Sequence, residues 1–186
     1  MAIETQINED IYQHTVLADP DRKWELHDGR LREKPGMTWE HNRTVMLLGH
    51  LLLLQLDLRH FHVFSEGRVR QSTGNIYIPD IAVIPTAFGQ EFENRPGVLA
   101  IFTDPLPLVI EVWSSSTGGY DVRAKLPEYQ RRGDPEIWLI HPYERTLTAW
   151  RRQADGSYGE RLYREEIVHE TALPGVAIDL GALFDA

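Results

Sequence analysis

No stretch restricts this chain more than Leu106 to Lys125. Leu106-Pro-Leu-Val-Ile-Glu-Val-Trp is an apolar run rich in Val and Ile, with a single carboxylate, Glu111, near its end. A run of this kind reads as a buried strand. The Ser114-Ser-Ser-Thr-Gly-Gly119 stretch then breaks it, and a short helix is expected to start near Lys125. Pro127 sets that start, because proline is tolerated in a first helical turn and not deeper. A carboxylate among aliphatic side chains costs several kcal/mol, roughly, unless a cation or hydrogen bonds compensate it. Two partners are available to Glu111: the ammonium of Lys125, or a metal shared with Asp80 of Ile76-Tyr-Ile-Pro-Asp-Ile-Ala-Val-Ile84.

Composition narrows the classes. A chain of 186 residues with 42% hydrophobic and 25% charged content fits one soluble domain with a single core. The absence of cysteine excludes disulfides, thiolate metal sites and cysteine nucleophiles, and suits a reducing cytoplasm. The acidic N-terminus is unlike a secretory or transit signal. Val45 to Leu58 is too short to span a bilayer and includes His50, Gln55 and Asp57. With a net charge of −9, any nucleic acid would have to be met by a local basic patch. Sixteen arginines against three lysines (Lys23, Lys34, Lys125) make each lysine a candidate for a specific role.

Along the chain, residues 1–20 read as a leader with one short helical turn. Trp24 to Glu33 alternates around Asp28-Gly29, a hairpin signal, with Glu25 as a solvated strand residue or a site residue. Thr38 caps a long apolar helix running to Leu58, with His41 in its first turn as a structural or surface histidine. His60 to Arg70 reads as one strand with a bulge at Gly67. Its His60/His62 and Arg68/Arg70 pairs could serve a metal or a phosphate, although an exposed strand face looks the same. Pro79 removes a backbone donor beside Asp80, so ladder pairing breaks there and the carboxylate is free to face something else. Glu136 to His141 is a further strand, and the segments around Asp155-Gly156 form a C-terminal hairpin.

Two carboxylates on neighbouring strands suit Mg²⁺ or Mn²⁺, whose remaining positions go to water and substrate phosphate. With an ammonium beside them, this is equipment for phosphodiester hydrolysis. Pro79-Asp80, Glu111-Val112-Trp113 and Lys125 resemble the PD-(D/E)xK nuclease superfamily in the version carried by the Uma-type restriction-endonuclease-like proteins. The likeness also takes in Trp24-Glu25-Leu26, Asp28-Gly29, His41, Asp121, Tyr129, Gly133, Glu136-Ile-Trp138 and His141-Pro142.

That resemblance implies a single domain over residues 1–186, α/β (α+β) in class. It would have a restriction-endonuclease-like mixed central sheet flanked by helices, an N-terminal hairpin and a C-terminal β-hairpin extension. It further implies a Mg²⁺- or Mn²⁺-dependent, cytoplasmic endonuclease acting on DNA. Asp80, Glu111 and the Val112 backbone carbonyl would hold the metal. Lys125 would be the catalytic lysine, moved from the usual position two residues after the acid, where Trp113 stands. Glu25, His41 and Asp121 are accessory candidates, Asp121 by pairing with Lys125 or capping the helix. Apolar excess on the long helix and the C-terminal hairpin implies a homodimer. The alternative is a catalytically inactive nuclease fold serving as a binding module, and a third reading makes Glu111–Lys125 a buried structural ion pair.

Overall fold

The computed structural model describes residues 6–173 and 175–185. In chain order it contains α1 (Glu9–Ala18), β1 (Trp24–His27), β2 (Arg30–Glu33), α2 (Trp39–Gln55), β3 (Phe61–Ser65), β4 (Arg68–Arg70) and β5 (Ile76–Tyr77). There follow β6 (Ile81–Pro85), α3 (Thr86–Gly89), β7 (Ile101–Phe102), β8 (Leu108–Val112), α4 (Gly118–Tyr120) and α5 (Leu126–Arg132). The chain continues through β9 (Glu136–His141), β10 (Thr146–Arg152), β11 (Tyr158–Tyr163), β12 (Ile167–His169), β13 (Ala177–Asp179) and α6 (Leu180–Asp185).

The fold is the expected mixed α+β arrangement. A six-stranded sheet runs β11-β10-β9-β8-β6-β3, and it is mixed because β8 and β9 are parallel while its other neighbours are antiparallel. A parallel pair needs a crossover, and α4 and α5 supply it. On one face, Ile81, Val83, Leu108 and Ile110 pack against Leu48 and Leu52 of α2, whose side chains are completely buried. Burying each such leucine contributes roughly 1.5–3 kcal/mol. On the other face, Ala82, Ile84, Val109 and Ile137 meet Tyr129 of α5. A second sheet, β2-β1-β5-β4-β7, closes over this side. The Asp28-Gly29 hairpin is formed as expected, with both residues at positive φ (48° and 71°), the geometry of a tight two-residue turn.

Several boundaries differ from the sequence reading. Where the leader suggests a single turn, α1 has ten residues and buries Tyr12 and Val16. The stretch from His60 to Arg70 is two strands in different sheets, not one bulged strand. It turns at Glu66 (φ 67°) and Gly67, which leaves His60 just ahead of β3, while Arg68 and Arg70 share a face of β4 and meet Tyr12 and Glu9 of α1 instead of a phosphate. The helix expected from Lys125 begins already at Gly118, and Asp121–Lys125 forms a π turn that leads into α5. That wider turn passes the Leu126 N–H to the Asp121 carbonyl just ahead of Pro127, where an α-helical ladder would lack a donor.

At the C-terminal end, fully buried Glu136 accepts from Trp138 Nε1 (2.6 Å), Arg151 Nε (3.0 Å) and Thr171 Oγ1 (2.7 Å). Neighbouring Glu170 is buried too; burial first, and the Glu136 charge second, push its carboxyl up to about 8 from an ordinary 4.5. The folded state therefore holds a proton that the unfolded chain releases. This contribution is complete below about pH 4.5 and is lost as pH rises through about 8, with a slope of up to about 1.4 kcal/mol per pH unit. Glu170→Gln is expected to flatten that decline in denaturation profiles between pH 5 and 8.5. Parallel profiles for variant and parent would rule it out.

Candidate active site

Strand pairing builds the site. The β6–β8 ladder runs Val83↔Leu108, Ala82↔Val109, Ile81↔Ile110, and one further step would set Asp80 opposite Glu111. Pairing stops there because Pro79 has no N–H to give. Beyond the break the Val112 N–H donates to Asp80 Oδ2 at 2.7 Å. Lys34, just after β2, donates from Nζ to Asp80 Oδ1 at 2.7 Å, and His41 Nε2, from the first turn of α2, lies 3.0 Å from Oδ2. Both are buried, and among the described residues His41 Nδ1 has no hydrogen-bond partner.

Lys125 is the second centre. Its Nζ lies 2.9 Å from Glu25 Oε1, 3.2 Å from Glu111 Oε1 and 3.2 Å from Asp121 Oδ1, with the lysine side chain 2% exposed. Asp121 reaches it because the two residues stand four apart in the π turn. Tyr129 of α5 donates its hydroxyl to Glu111 Oε1 at 2.7 Å, and Glu25 also accepts the Ile78 N–H at 2.9 Å. The surface-strand reading of Glu25 is thereby corrected: alternation in β1 points it inward, under the second sheet. His41 is buried on Asp80, not at the surface.

Four buried carboxyl groups (Glu25, Asp80, Glu111, Asp121) meet two ammoniums (Lys34, Lys125). Burial alone would push Asp80 up, but Lys34 and His41 outweigh it and hold this carboxyl well below the usual range. Burial pushes Glu111 up to about 8, with Lys125 pulling it back and Asp121 and Asp80 adding to the rise. Asp121 is raised by burial as well, against the pull of Lys125. Burial lowers the Lys125 ammonium, yet the carboxylates Glu111, Glu25 and Asp121 together raise it well above its ordinary value. The cluster thus carries more acid than the ammoniums neutralise.

Asp80 with Lys34 and His41, and Lys125 with Glu25, Glu111 and Asp121, are therefore two adjoining buried centres. They are joined through the Val112 N–H beside Glu111 and by the effect of the Asp80 charge on Glu111 and Asp121. Among the described residues, no three His, Asp or Glu side chains are gathered as a metal cage. Each carboxylate turns instead to an ammonium. The hard oxygen donors and the surplus acid nevertheless fit a divalent cation in kind and charge. For two members, both noticed in the sequence, the partner is given only by the fold. Lys34 sits in an irregular segment and reaches Asp80 across 46 positions, and Tyr129 has a hydroxyl bond that no spacing announces.

Trp113 leaves the site altogether and stacks on His141 at 4.2 Å between ring centroids. Gly118 makes room for it, since a Cβ there would lie 2.1 Å from the indole Nε1. Gly118→Ala is expected to displace the ring at a cost of about 1–3 kcal/mol. A changed near-ultraviolet tryptophan signal would report it, and an unchanged spectrum and melting temperature would refute it.

A family model described as "Uma2: Putative restriction endonuclease" matches residues 9–181. The chain is also similar to a solved structure described as a putative nuclease belonging to DUF820 from Anabaena variabilis ATCC 29413. The TM-score is 0.73 at 19% identity, over 89% of this chain and 91% of that one, which establishes a shared fold. No curated protein matches. Among the described residues, no helix is long and apolar enough to cross a membrane.

Proposed function

The chain belongs to the Uma2 family of putative restriction endonucleases, and from that premise we propose that it hydrolyses phosphodiester bonds of DNA with a divalent metal, Mg²⁺ or Mn²⁺. Asp80, Glu111 and the Val112 carbonyl would hold the ion, and Lys125 would be the catalytic lysine. When bound, the metal supplies Lewis acidity toward the phosphoryl oxygen and an activated water. Lys125 contributes positive charge where negative charge builds on the phosphate. Glu25 and Asp121 position that ammonium, His41 fixes the Asp80 carboxylate, and the Tyr129 hydroxyl orients Glu111. The observation that carries this reading is that the buried Asp80 centre adjoins the buried Glu111–Lys125 centre across the Val112 N–H, with four carboxyl groups to two ammoniums between them.

The test is cleavage of plasmid and linear DNA with Mg²⁺ or Mn²⁺, run alongside calorimetric titration of Mn²⁺. Metal binding with metal-dependent cleavage supports the proposal; a folded chain that binds no metal and cuts nothing overturns it. The second reading, a binding module without catalysis, is favoured by the engagement of both carboxylates by ammoniums and by the net charge of −9. It is distinguished by binding DNA without cutting it.

The same reading includes a homodimer, which would present two sites to the two strands of a duplex. The solvent side of α2 exposes Trp39 (78%), Met46 (70%) and Leu54 (68%), an apolar stripe suited to a second copy. Sedimentation at micromolar concentration is expected to give a dimer that Met46→Glu disrupts, and a monomeric parent chain would end this part of the proposal.

A further inference from the structure

Lys34 lies where an irregular segment, residues 34–38, leaves β2 for α2. Its Nζ makes two contacts, to Asp80 Oδ1 at 2.7 Å and to the Ile78 carbonyl at 2.9 Å, and its side chain is 5% exposed. A carboxylate oxygen beside a backbone carbonyl is a donor set that hard divalent cations take. Here an ammonium takes it. Beside Lys34 opens a cleft of about 350 Å³, lined among others by Lys23, Gly36, His41, Ser65 and Asp80. Lys23 sits at this cleft as well, paired with Glu66 at 2.5 Å.

We propose that Lys34 is a built-in, displaceable cation that competes with the divalent metal for Asp80. Metal entry moves its ammonium into the adjoining cleft, to meet the phosphate of the bound strand. The inference rests on the metal-site reading above and adds a residue and an order of events to it. Three features support it. An ammonium and a divalent cation on the two oxygens of one buried Asp80 carboxylate repel each other strongly. A lysine on four methylenes at the start of an irregular segment can swing without disturbing a strand. The cleft gives the freed ammonium a polar, solvent-connected place to go, so its charge is not left stranded in the core.

Two measurements test it. In calorimetry, Lys34→Met, which keeps the buried stem and removes the charge, is expected to bind Mn²⁺ at least about tenfold more tightly than the parent chain. The second uses the unaltered chain, so it does not depend on the variant folding. With three lysines in the sequence, reductive methylation read by peptide mass spectrometry resolves each one. Lys34 is expected to be protected without metal and to be labelled severalfold faster at saturating Mn²⁺, while Lys125 stays protected. Equal Mn²⁺ affinity in both chains, or Lys34 labelling that Mn²⁺ leaves unchanged, overturns the role of Lys34 and leaves the metal site standing. No Mn²⁺ binding in either chain overturns the metal site, and the inference with it.

Discussion

Lys125→Met is expected to destabilise the chain by about 3–5 kcal/mol near neutral pH and to abolish cleavage. The ammonium is buried in contact with Glu25, Glu111 and Asp121 together. Removing it strands three buried carboxyl groups, and the chain must either protonate them or let water in. The cost therefore depends on pH. Glu111 already holds its proton up to about 8, a contribution present below pH 4.5 and lost on passing upward through 8. Without the lysine Glu111 differs from the parent only above about pH 8. Asp121, by contrast, loses the charge that pulls it back and is pushed further up by burial. The variant should therefore recover part of the cost as pH falls from 8 toward 5 and Asp121 takes up a proton. Denaturant titrations across this range measure the effect. Adding Glu111→Gln to Lys125→Met should cost less than the two changes summed, because the pair is coupled. A loss below about 1 kcal/mol, equal at every pH, would show that water already solvates the cluster.

The second large effect is that of Asp80→Asn. The amide keeps the shape and can still accept the Val112 N–H, but it gives up the charge that Lys34 and His41 face. If Asp80 holds the metal, the variant should bind no Mn²⁺ in calorimetry and lose cleavage by at least about a hundredfold, since a metal ligand acts on both binding and chemistry. A charge-free partner also leaves the Lys34 ammonium buried without compensation, worth about 3–5 kcal/mol. The sign with pH is opposite to that of Glu111. Because the Asp80 carboxyl is held below its ordinary value, its contribution is present above about pH 4 and is lost as pH falls further. The variant should therefore show a flatter acid limb than the parent chain. Unimpaired cleavage by a folded Asp80→Asn chain would remove Asp80 from the metal site, whatever its effect on stability.

Much of the architecture is legible in residue order, because it rests on local chemistry. Asp28-Gly29 dictates a tight turn, and the Val- and Ile-rich run before Glu111 can only be an interior strand. Thr38 caps α2 as its type suggests, accepting from the His41 N–H. Asp80, Glu111 and Lys125 stand out for the same reason: a charge in an apolar run, or beside a proline that ends a ladder, needs a partner.

What the sequence alone determined is therefore the set of groups that demanded compensation, since desolvation is a property of a residue and its immediate neighbours. Which group answers which demand was decided by tertiary structure. Glu25 is inward only because the sheet that contains β1 packs across the crossover between β8 and β9 and so turns this residue onto Lys125, and Lys34 reaches Asp80 only because the segment after β2 passes beside the broken end of β6. Those pairings depend on how layers stack and where strands end, and side-chain period carries no record of either. That is why the sequence names the acids of this site and marks Lys34 as unusual, yet leaves its pairing with Asp80 to the fold.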